Sequence, residues 1–465
     1  MKNQAYNPYL PSWEYVPDGE PHIFGDRVYV YGSHDMYNGH VFCLGDYVCW
    51  SAPVDDLSDW KYEGVIYEKV QDPENPLGKM CLYAPDVTKG PDGRYYLYYV
   101  LDKISVVSVA VCDTPAGKYQ FYGYVHDSQG VRLGERSFDE PQFDPAVLTI
   151  DDKTYLYTGF AFATDTSRHG AMATVLGYDM LTILEDPVFV LPSGSYSAGT
   201  GFEGHEFFEA PSIRKKDDTF YLIYSSIAMH ELCYAISKNP VSGFLYGGVI
   251  VSNSDIGISF DKPENKPVAY GANNHGGIIE IKNQWYIFYH RHTNGTWYSR
   301  QGCAEKIDIL PDGAIPQVEI TSCGLNDGPL AGKGEYPTYI ACNLFTSIDH
   351  IYVGEKDCPM IIQDGRDGDK DPAYVSNIKD TATIGFKYFD FYDVKKIGIK
   401  VRGYASGAFE VRTSLNGPVL AKIPVGYTNI WEEYIEDISL PDGKQAIYLT
   451  YCGEGTADLL SISFE

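Results

Sequence analysis

Five ionisable residues recur at similar distances ahead of five tyrosine-rich segments: Asp18 in PDGEP, Asp86 in APDVT, Asp144 in FDPAV, Glu209 in FEAPS and His275 in NNHGG. Paired carboxyl groups suit the hydrolysis of a sugar acetal. One carboxyl, held protonated, donates to the leaving oxygen, and the other, ionised, activates water or attacks directly. Each acid could instead cap its own turn, but that alternative does not explain why the whole set recurs. The spacing therefore predicts a shared site.

The segments behind these residues indicate what positions them. Each is a polar turn followed by alternating aromatic and aliphatic residues, typical of a hairpin and strand. They are GDRVYVYG (25–32), DGRYYLYY (92–99), DDKTYLYT (151–158), DDTFYLIY (217–224) and KNQWYIFY (282–289). A repeat of this length accommodates four short strands, which is a propeller blade. We predict five blades whose first strands line a central channel, so that the ionisable residues face one axis.

The order of the blades suggests which catalytic role each acid has. On an assumed ring radius, Asp18 and Glu209 should lie about 7.5–9.5 Å apart, which suits an inverting hydrolase. Asp144 and Glu209 belong to neighbouring blades, and a like charge at close range would keep Glu209 protonated. A separation of about 5 Å in that pair would also suit a retaining nucleophile and acid, so both outcomes stay open.

A second domain follows the repeats. The blade pattern ends near KIDILPDG (306–313), and the Gly-rich stretch CGLNDGPLAGKGEYP resembles a linker. Beyond it, short strands alternate with Gly, Pro, Asn and Asp turns, as in a jelly-roll sandwich. We predict an all-β protein with a five-bladed β-propeller at residues 1–322, a linker at 323–337 and a β-sandwich at 338–465.

Composition limits the partners. The chain has 36 basic and 63 acidic residues, a net charge of −27, which disfavours nucleic acid and anionic membranes. No run of apolar residues is long enough to span a bilayer. The N-terminus carries no hydrophobic signal segment, so we expect a cytoplasmic protein. The ten cysteines contain no CxxC spacing, so neither a zinc site nor a redox motif is predicted.

Residues 5–320 resemble glycoside hydrolase family 43, whose five-bladed propellers invert configuration at arabinofuranosides and xylosides. The matching motifs are NPYLP, PDGEP, FDPAV and FFEAPSIRK. The resemblance implies that Asp18 is the general base, Glu209 the general acid, and Asp144 the residue that tunes the acid's pKa and orients it. PDGEP departs from the commoner PDPS-type pattern, which leaves Glu20 as a rival for the base.

Other site residues follow from the resemblance or from position. His275 resembles a histidine that, in many members, helps to hold calcium or its waters; the alternative is a neutral histidine hydrogen-bonded inside the channel. Arg300 in SRQGCAEK resembles a late arginine that contacts substrate, unless it forms an ordinary ion pair. His34 follows the first repeat strand and is expected to line the pocket. Asp86 is expected to contact substrate or to be structural. Trp13 is expected to stack on a sugar, unless it belongs to the core.

The resemblance implies an inverting exo-glycosidase that releases α-L-arabinofuranose from xylan- or arabinan-derived oligosaccharides. A β-xylosidase, or a dual activity, is the alternative, because arabinofuranose and xylopyranose present similar hydroxyl patterns. A more distant alternative is a non-catalytic propeller that binds sugar and holds calcium. The C-terminal domain is similar to family 6 carbohydrate-binding modules, with Trp431 and nearby tyrosines as a sugar platform. It could equally serve only to support the propeller.

Overall fold

The computed structural model describes residues 4–259, 262–347, 352–367 and 369–465. Strands and loops make up almost all of this part of the chain. Its helical segments are three single 3₁₀ turns, Lys69–Gln71, Gly194–Tyr196 and Thr338–Ile340. None of the helical segments described has the length and hydrophobicity needed to cross a bilayer. The predicted all-β class is confirmed.

Five antiparallel sheets form the propeller, and each sheet is one blade. Blades one to four have four strands each, and blade five has three within the described residues. In chain order the strands are β1 Glu20–Phe24, β2 Arg27–Tyr31, β3 Tyr47–Pro53, β4 Lys61–Tyr67; β5 Asp86–Lys89, β6 Tyr95–Tyr99, β7 Ser108–Cys112, β8 Gln120–Tyr124; β9 Ala146–Ile150, β10 Lys153–Thr158, β11 Gly170–Leu176, β12 Val188–Pro192; β13 Phe207–Lys216, β14 Thr219–Ser226, β15 Glu231–Ser237, β16 Leu245–Ser252; β17 Ile278–Ile281, β18 Gln284–Arg291 and β19 Gln301–Ile307.

The five tyrosine-rich segments become the second strands of the five blades, which confirms the predicted count. Their side chains alternate between the two neighbouring blades, as a period of two requires. In β6, Leu97 and Tyr99 pack with residues of blade one, whereas Tyr96 and Tyr98 pack with residues of blade three. Burial on both faces explains why these strands contain so few polar residues.

The N-terminal segment closes the ring against the last blade. The Tyr9 amide donates to the Gly302 carbonyl at 3.1 Å, beside the outer edge of β19. The Asn7 side chain donates to the Ala304 carbonyl at 2.9 Å and accepts from the Ala304 amide at 3.0 Å. The first residues of the propeller thus satisfy backbone groups of its last described strand, which stabilises the closed ring.

The C-terminal domain is one ten-stranded sheet that curls around its own apolar core. Its two longest strands pair with each other along most of their length and extend into both layers of the sheet. The predicted sandwich is therefore formed by a single continuous sheet. The strands are β20 Leu330–Ala331, β21 Gly334–Pro337, β22 Asn343–Phe345, β23 Met360–Ile362, β24 Tyr374–Ile378, β25 Thr383–Phe391, β26 Lys396–Arg412, β27 Ala421–Val425, β28 Thr428–Asp437 and β29 Gly443–Phe464.

Part of the stretch predicted as a linker belongs to this sheet. β20 pairs with β25 and β21 pairs with β29, so residues 330–337 are not a free connection. The reason is Tyr336, whose ring is buried in the core of the second domain. The predicted linker at 323–337 is wrong for its second half, and the predicted start of the second domain at 338 is therefore too late. The boundary at 322 stays a prediction.

Candidate active site

All five blades contribute to a pit of about 490 Å³ at one end of the channel. Asp18, Asp144 and Glu209 line the pit together with Arg300 and His275. Most of the remaining wall is aromatic or apolar. It is formed by Phe42, Cys43, Tyr83, Ala84, Phe143, Phe160, Phe162, Phe208, Met229, Asn273, Trp297 and Tyr298. The structure therefore brings together the three predicted catalytic carboxyl groups in one weakly polar pit.

Local backbone geometry aims these carboxyl groups. Asp18 and Asp144 have positive φ angles of 57° and 44°, just before the first strands of their blades. Aspartate enters this left-handed region more readily than most residues with a side chain. Glu209 lies within β13, where the pairing with β14 shifts register on both sides of it, and Ala210 has φ 63°. A bulge of this kind re-aims a side chain that would otherwise follow the strand.

Asp18 is held as a carboxylate. Arg300 Nη1 donates to Asp18 Oδ1 at 3.0 Å, and His290 Nδ1 lies 3.2 Å from the same oxygen. Burial alone would raise the pKa of Asp18, but Arg300 and then His290 hold it well below its usual range. Asp18 is therefore ionised throughout the pH range in which the protein would work.

The pKa values of Glu209 and Asp144 are shifted in the opposite direction, above their usual values. Burial, followed by the charge of Asp18, raises the pKa of Glu209 to about 8. Burial and then Glu209 raise the pKa of Asp144 well above its usual value, although the Ala210 amide opposes this shift. The predicted cause of this protonation is the like charge of Asp144, but burial is the larger cause and the like charge that follows it is that of Asp18. The pit therefore holds a proton near Glu209 at neutral pH.

Arg300 lies deep in the pit and is fixed by two aspartates. Its Nε and Nη2 donate to the two carboxylate oxygens of Asp35, at 2.8 and 3.0 Å, while Nη1 donates to Asp18. The repeat pattern does not mark Asp35. The available signal was its place beside His34 in YGSHD, because consecutive residues of an extended segment point in opposite directions.

His34 does not line the pit, so that prediction is wrong. Its Nε2 lies 2.9 Å from Glu14 Oε1, and its Nδ1 lies 3.1 Å from the Asp46 carbonyl. Because Asp35 points toward Arg300, the preceding side chain points away from the channel.

Asp86 and Trp13 also lie outside the pit, so neither contacts a sugar bound there. Asp86 is fully buried and accepts hydrogen bonds from His22 Nε2 at 2.7 Å and the Val147 amide at 2.8 Å. Asp86 lies ten residues before its repeat tyrosine, whereas Asp18 lies eleven residues before its own. This difference of one residue reverses the face of a strand on which a side chain lies. Trp13 packs on Trp50 at the edge of an apolar cluster, which agrees with the alternative that it belongs to the core.

His275 lies in the wall of the pit, between Asp144 and the carboxylate of Glu20. Its Nδ1 is 3.7 Å from Asp144 Oδ2, and its Nε2 is 3.9 Å from Glu20 Oε1. Burial is the main cause that lowers the pKa of His275 to about 4, so the ring is neutral. Glu20 does not line the pit, and its other oxygen accepts from Arg214 at 2.7 Å and Ser212 at 2.9 Å. It is therefore no longer a rival to Asp18 as the base.

Several residues of the wall are not marked by the repeat pattern of the sequence. Asn273 stands two residues before His275, and its backbone carbonyl accepts hydrogen bonds from His290 and His292. Trp297 lies in the loop between β18 and β19. Asn273 could have been predicted, because it belongs to the same NNHGG motif as His275. Trp297 could not, because it occupies no repeat position and loops between strands vary from blade to blade.

Trp431, the predicted centre of a sugar platform in the second domain, is covered on one face. The Arg402 guanidinium lies 4.2 Å from the centroid of its ring, and the Tyr374 ring approaches at 5.2 Å. Nothing in this arrangement identifies a sugar site, so binding by this domain stays a prediction.

Residues 17–315 match the family model of glycosyl hydrolases family 43. A protein of Thermoclostridium stercorarium described as a xylosidase/arabinosidase is 66% identical over 469 residues, which is 100% of this chain and 99% of that protein. A second xylosidase/arabinosidase, from Bacteroides ovatus, is 28% identical over 61% of this chain and 87% of its own.

Solved structures agree with this match. A family 43 β-xylosidase/α-arabinofuranosidase from a compost metagenome, in complex with xylotriose and in a calcium-free form, is 25% identical. Its TM-score is 0.53 over 68% of this chain and 99% of that one. A family 43 arabinoxylan arabinofuranohydrolase from Bacillus subtilis shares the fold of both domains, at 21% identity. Its TM-score is 0.53 over 98% of this chain and 97% of that one.

Proposed function

This chain belongs to glycosyl hydrolases family 43, and from that premise we propose that it is an inverting, exo-acting α-L-arabinofuranosidase. Its substrates would be short oligosaccharides derived from xylan or arabinan. The observation that carries the proposal is the pit in which Asp18 is ionised beside a protonated Glu209. A pit of this size suits one terminal sugar better than the middle of a long chain.

In the proposed reaction, Asp18 takes a proton from a water molecule as that water attacks the anomeric carbon. The bond from this carbon to the glycosidic oxygen breaks, and Glu209 gives its proton to the departing oxygen. Asp144 would orient Glu209 and modulate its pKa, as in the family; the charge of Glu209 in turn raises the pKa of Asp144. Arg300 keeps Asp18 ionised and in place.

A β-xylosidase activity of the same pit is the second candidate. It is favoured by the full-length relative at 66% identity, which is described by both activities. Family membership makes the chain a glycoside hydrolase, and the non-catalytic propeller is accordingly set aside.

The test is hydrolysis of 4-nitrophenyl α-L-arabinofuranoside and 4-nitrophenyl β-D-xyloside by the full chain. Glu209→Gln should lower kcat/KM by about 10²–10⁴-fold, the usual contribution of a positioned acid. The exposed Glu433→Gln is the matched control and should change little. Proton NMR of the first-formed sugar should show the inverted anomer. If the sugar is released with retained configuration, Asp144 becomes the nucleophile; if both substrates are inert, the proposal fails.

We also propose that the channel axis can hold calcium. Glu20 Oε1 is buried without a hydrogen-bond partner among the described residues and lies 3.9 Å from His275 Nε2, so Glu20 and His275 are the residues that would hold the ion. Calcium prefers about six to eight oxygen ligands, so water would complete its shell. The bound ion would stabilise nearby carboxylates in their ionised form. Chelation should lower the melting temperature, and added calcium should restore it. If chelation changes neither the melting temperature nor the activity, the calcium proposal is wrong.

A further inference from the structure

A segment of the C-terminal domain lies across the rim of the catalytic pit. The Gly354 amide donates to the Gly295 carbonyl at 2.8 Å, and the Ile361 amide donates to the Thr293 carbonyl at 2.8 Å. Both acceptors belong to the loop between β18 and β19, which also carries Trp297 of the pit wall. The second domain therefore holds a loop of the active site in place.

Tyr352, on this segment, reaches two residues of the pit wall that come from different blades. Its hydroxyl contacts Met229 Sδ at 3.4 Å, and its ring lies 5.6 Å from the Trp297 ring at an interplanar angle of 71°. The phenol remains 44% exposed. The two rings thus form an open aromatic corner beside the pit, with Trp297 in its wall and Tyr352 outside it.

We propose that Tyr352 and Trp297 form the subsite for the sugar unit on the leaving side of the scissile bond. This inference rests on the proposed function and names where the rest of the oligosaccharide binds. The terminal sugar fills the pit among Asp18, Asp144 and Glu209, so the leaving group must face the rim. Aromatic faces pack against the C–H faces of a pyranose, and a corner of two rings contacts it from two sides.

A second aromatic surface on the rim is the alternative location for this subsite. Phe162, which is 58% exposed, lines the pit beside Phe160 and Phe208 on the side of blades three and four. That wall offers only phenyl rings, whereas the corner adds a phenol hydroxyl and an indole N–H to apolar faces. Sugar units carry both apolar C–H faces and hydroxyl groups, so the corner matches them better.

The experiment compares a substrate that has a leaving sugar with one that lacks it. In the full chain, Tyr352→Ala should lower kcat/KM for an arabinosylated xylotriose at least about fivefold more than for α-L-arabinofuranosyl fluoride, since one stacked ring is lost. Tyr352→Phe keeps the ring and should recover most of this loss. Tyr392→Ala removes a tyrosine of the same domain that is 76% exposed, and should change neither rate.

Equal losses on the two substrates would overturn the proposal, because Tyr352 would then only support the Trp297 loop. A selective loss with Phe162→Ala and none with Tyr352→Ala would overturn it in favour of the other wall. Calorimetry separates these results from a failure of the proposed function. In Glu209→Gln, adding Tyr352→Ala should weaken the binding of arabinosylated xylotriose more than that of arabinose. Equal effects on both sugars would count against the subsite even if the enzyme proved inert.

Discussion

Two carboxyl groups in the same pit have pKa values displaced in opposite directions. Asp18 accepts a hydrogen bond from Arg300 and lies beside His290, so its charge is compensated. Glu209 is buried beside the negative charge of Asp18, so ionisation is costly there. Environments that push two acids apart in this way allow one to act as base and the other as acid at neutral pH.

The pH dependence of catalysis should show this asymmetry. We expect kcat/KM to fall as pH rises through about 8, because Glu209, whose pKa is raised to about 8, must be protonated to donate. Ionisation of Asp18 should not limit the rate near its usual pKa, because Arg300 keeps this group charged to much lower pH. A profile of kcat/KM on the nitrophenyl arabinofuranoside between pH 4 and 10 checks both limbs. An alkaline limb near pH 5, or none below pH 10, would contradict the assignment of Glu209.

At the scale of strands, the repeat was predictable because every blade needs the same alternation of aromatic and aliphatic residues. The direction of individual side chains was harder to predict, since an offset of one residue reverses the face of a strand. Asp86 shows this effect, because it sits one position closer to its tyrosine than Asp18 does and points away from the pit. Glu209 shows the opposite outcome, because a bulge in β13 restores its direction despite a longer spacing.

Contacts between distant parts of the chain were beyond the reach of local patterns. NPYLP is a recognisable motif, but the role of Asn7 depends on Ala304, which is 297 residues away. Tyr352 reaches the catalytic rim from the second domain, and its neighbouring sequence carries no sign of that contact. Tyr336 likewise looks like part of a linker until the core that buries its ring is assembled. Such features become visible only when the elements have packed.

At the scale of the whole molecule, the two domains share a buried ionic contact. Lys387 on β25 reaches Asp255 Oδ2 and Glu319 Oε2 of the propeller side, each at 2.9 Å. Burial would lower the pKa of Lys387, but Asp255 and its other neighbours hold it well above its usual value, so the amine stays charged. Asp255 Oδ1 also accepts from the Ile320 amide at 2.7 Å, which ties the end of the propeller into the same contact.

Lys387→Met should therefore destabilise the protein and loosen the link between its domains. The substitution keeps an unbranched chain but leaves Asp255 buried without its cation, at a cost of about 3–5 kcal/mol. We expect calorimetric melting to change from one transition toward two, as the C-terminal sheet begins to unfold separately. The matched control is Lys395→Met, which breaks an exposed ion pair with Asp393 and should leave the melting curve nearly unchanged, because solvent screens such pairs. If the two variants melt alike, hydrophobic packing and the segment across the pit hold the domains together without this lysine. If Lys387→Met alone also weakens oligosaccharide turnover, the position of the C-terminal domain matters for the catalytic rim as well as for stability.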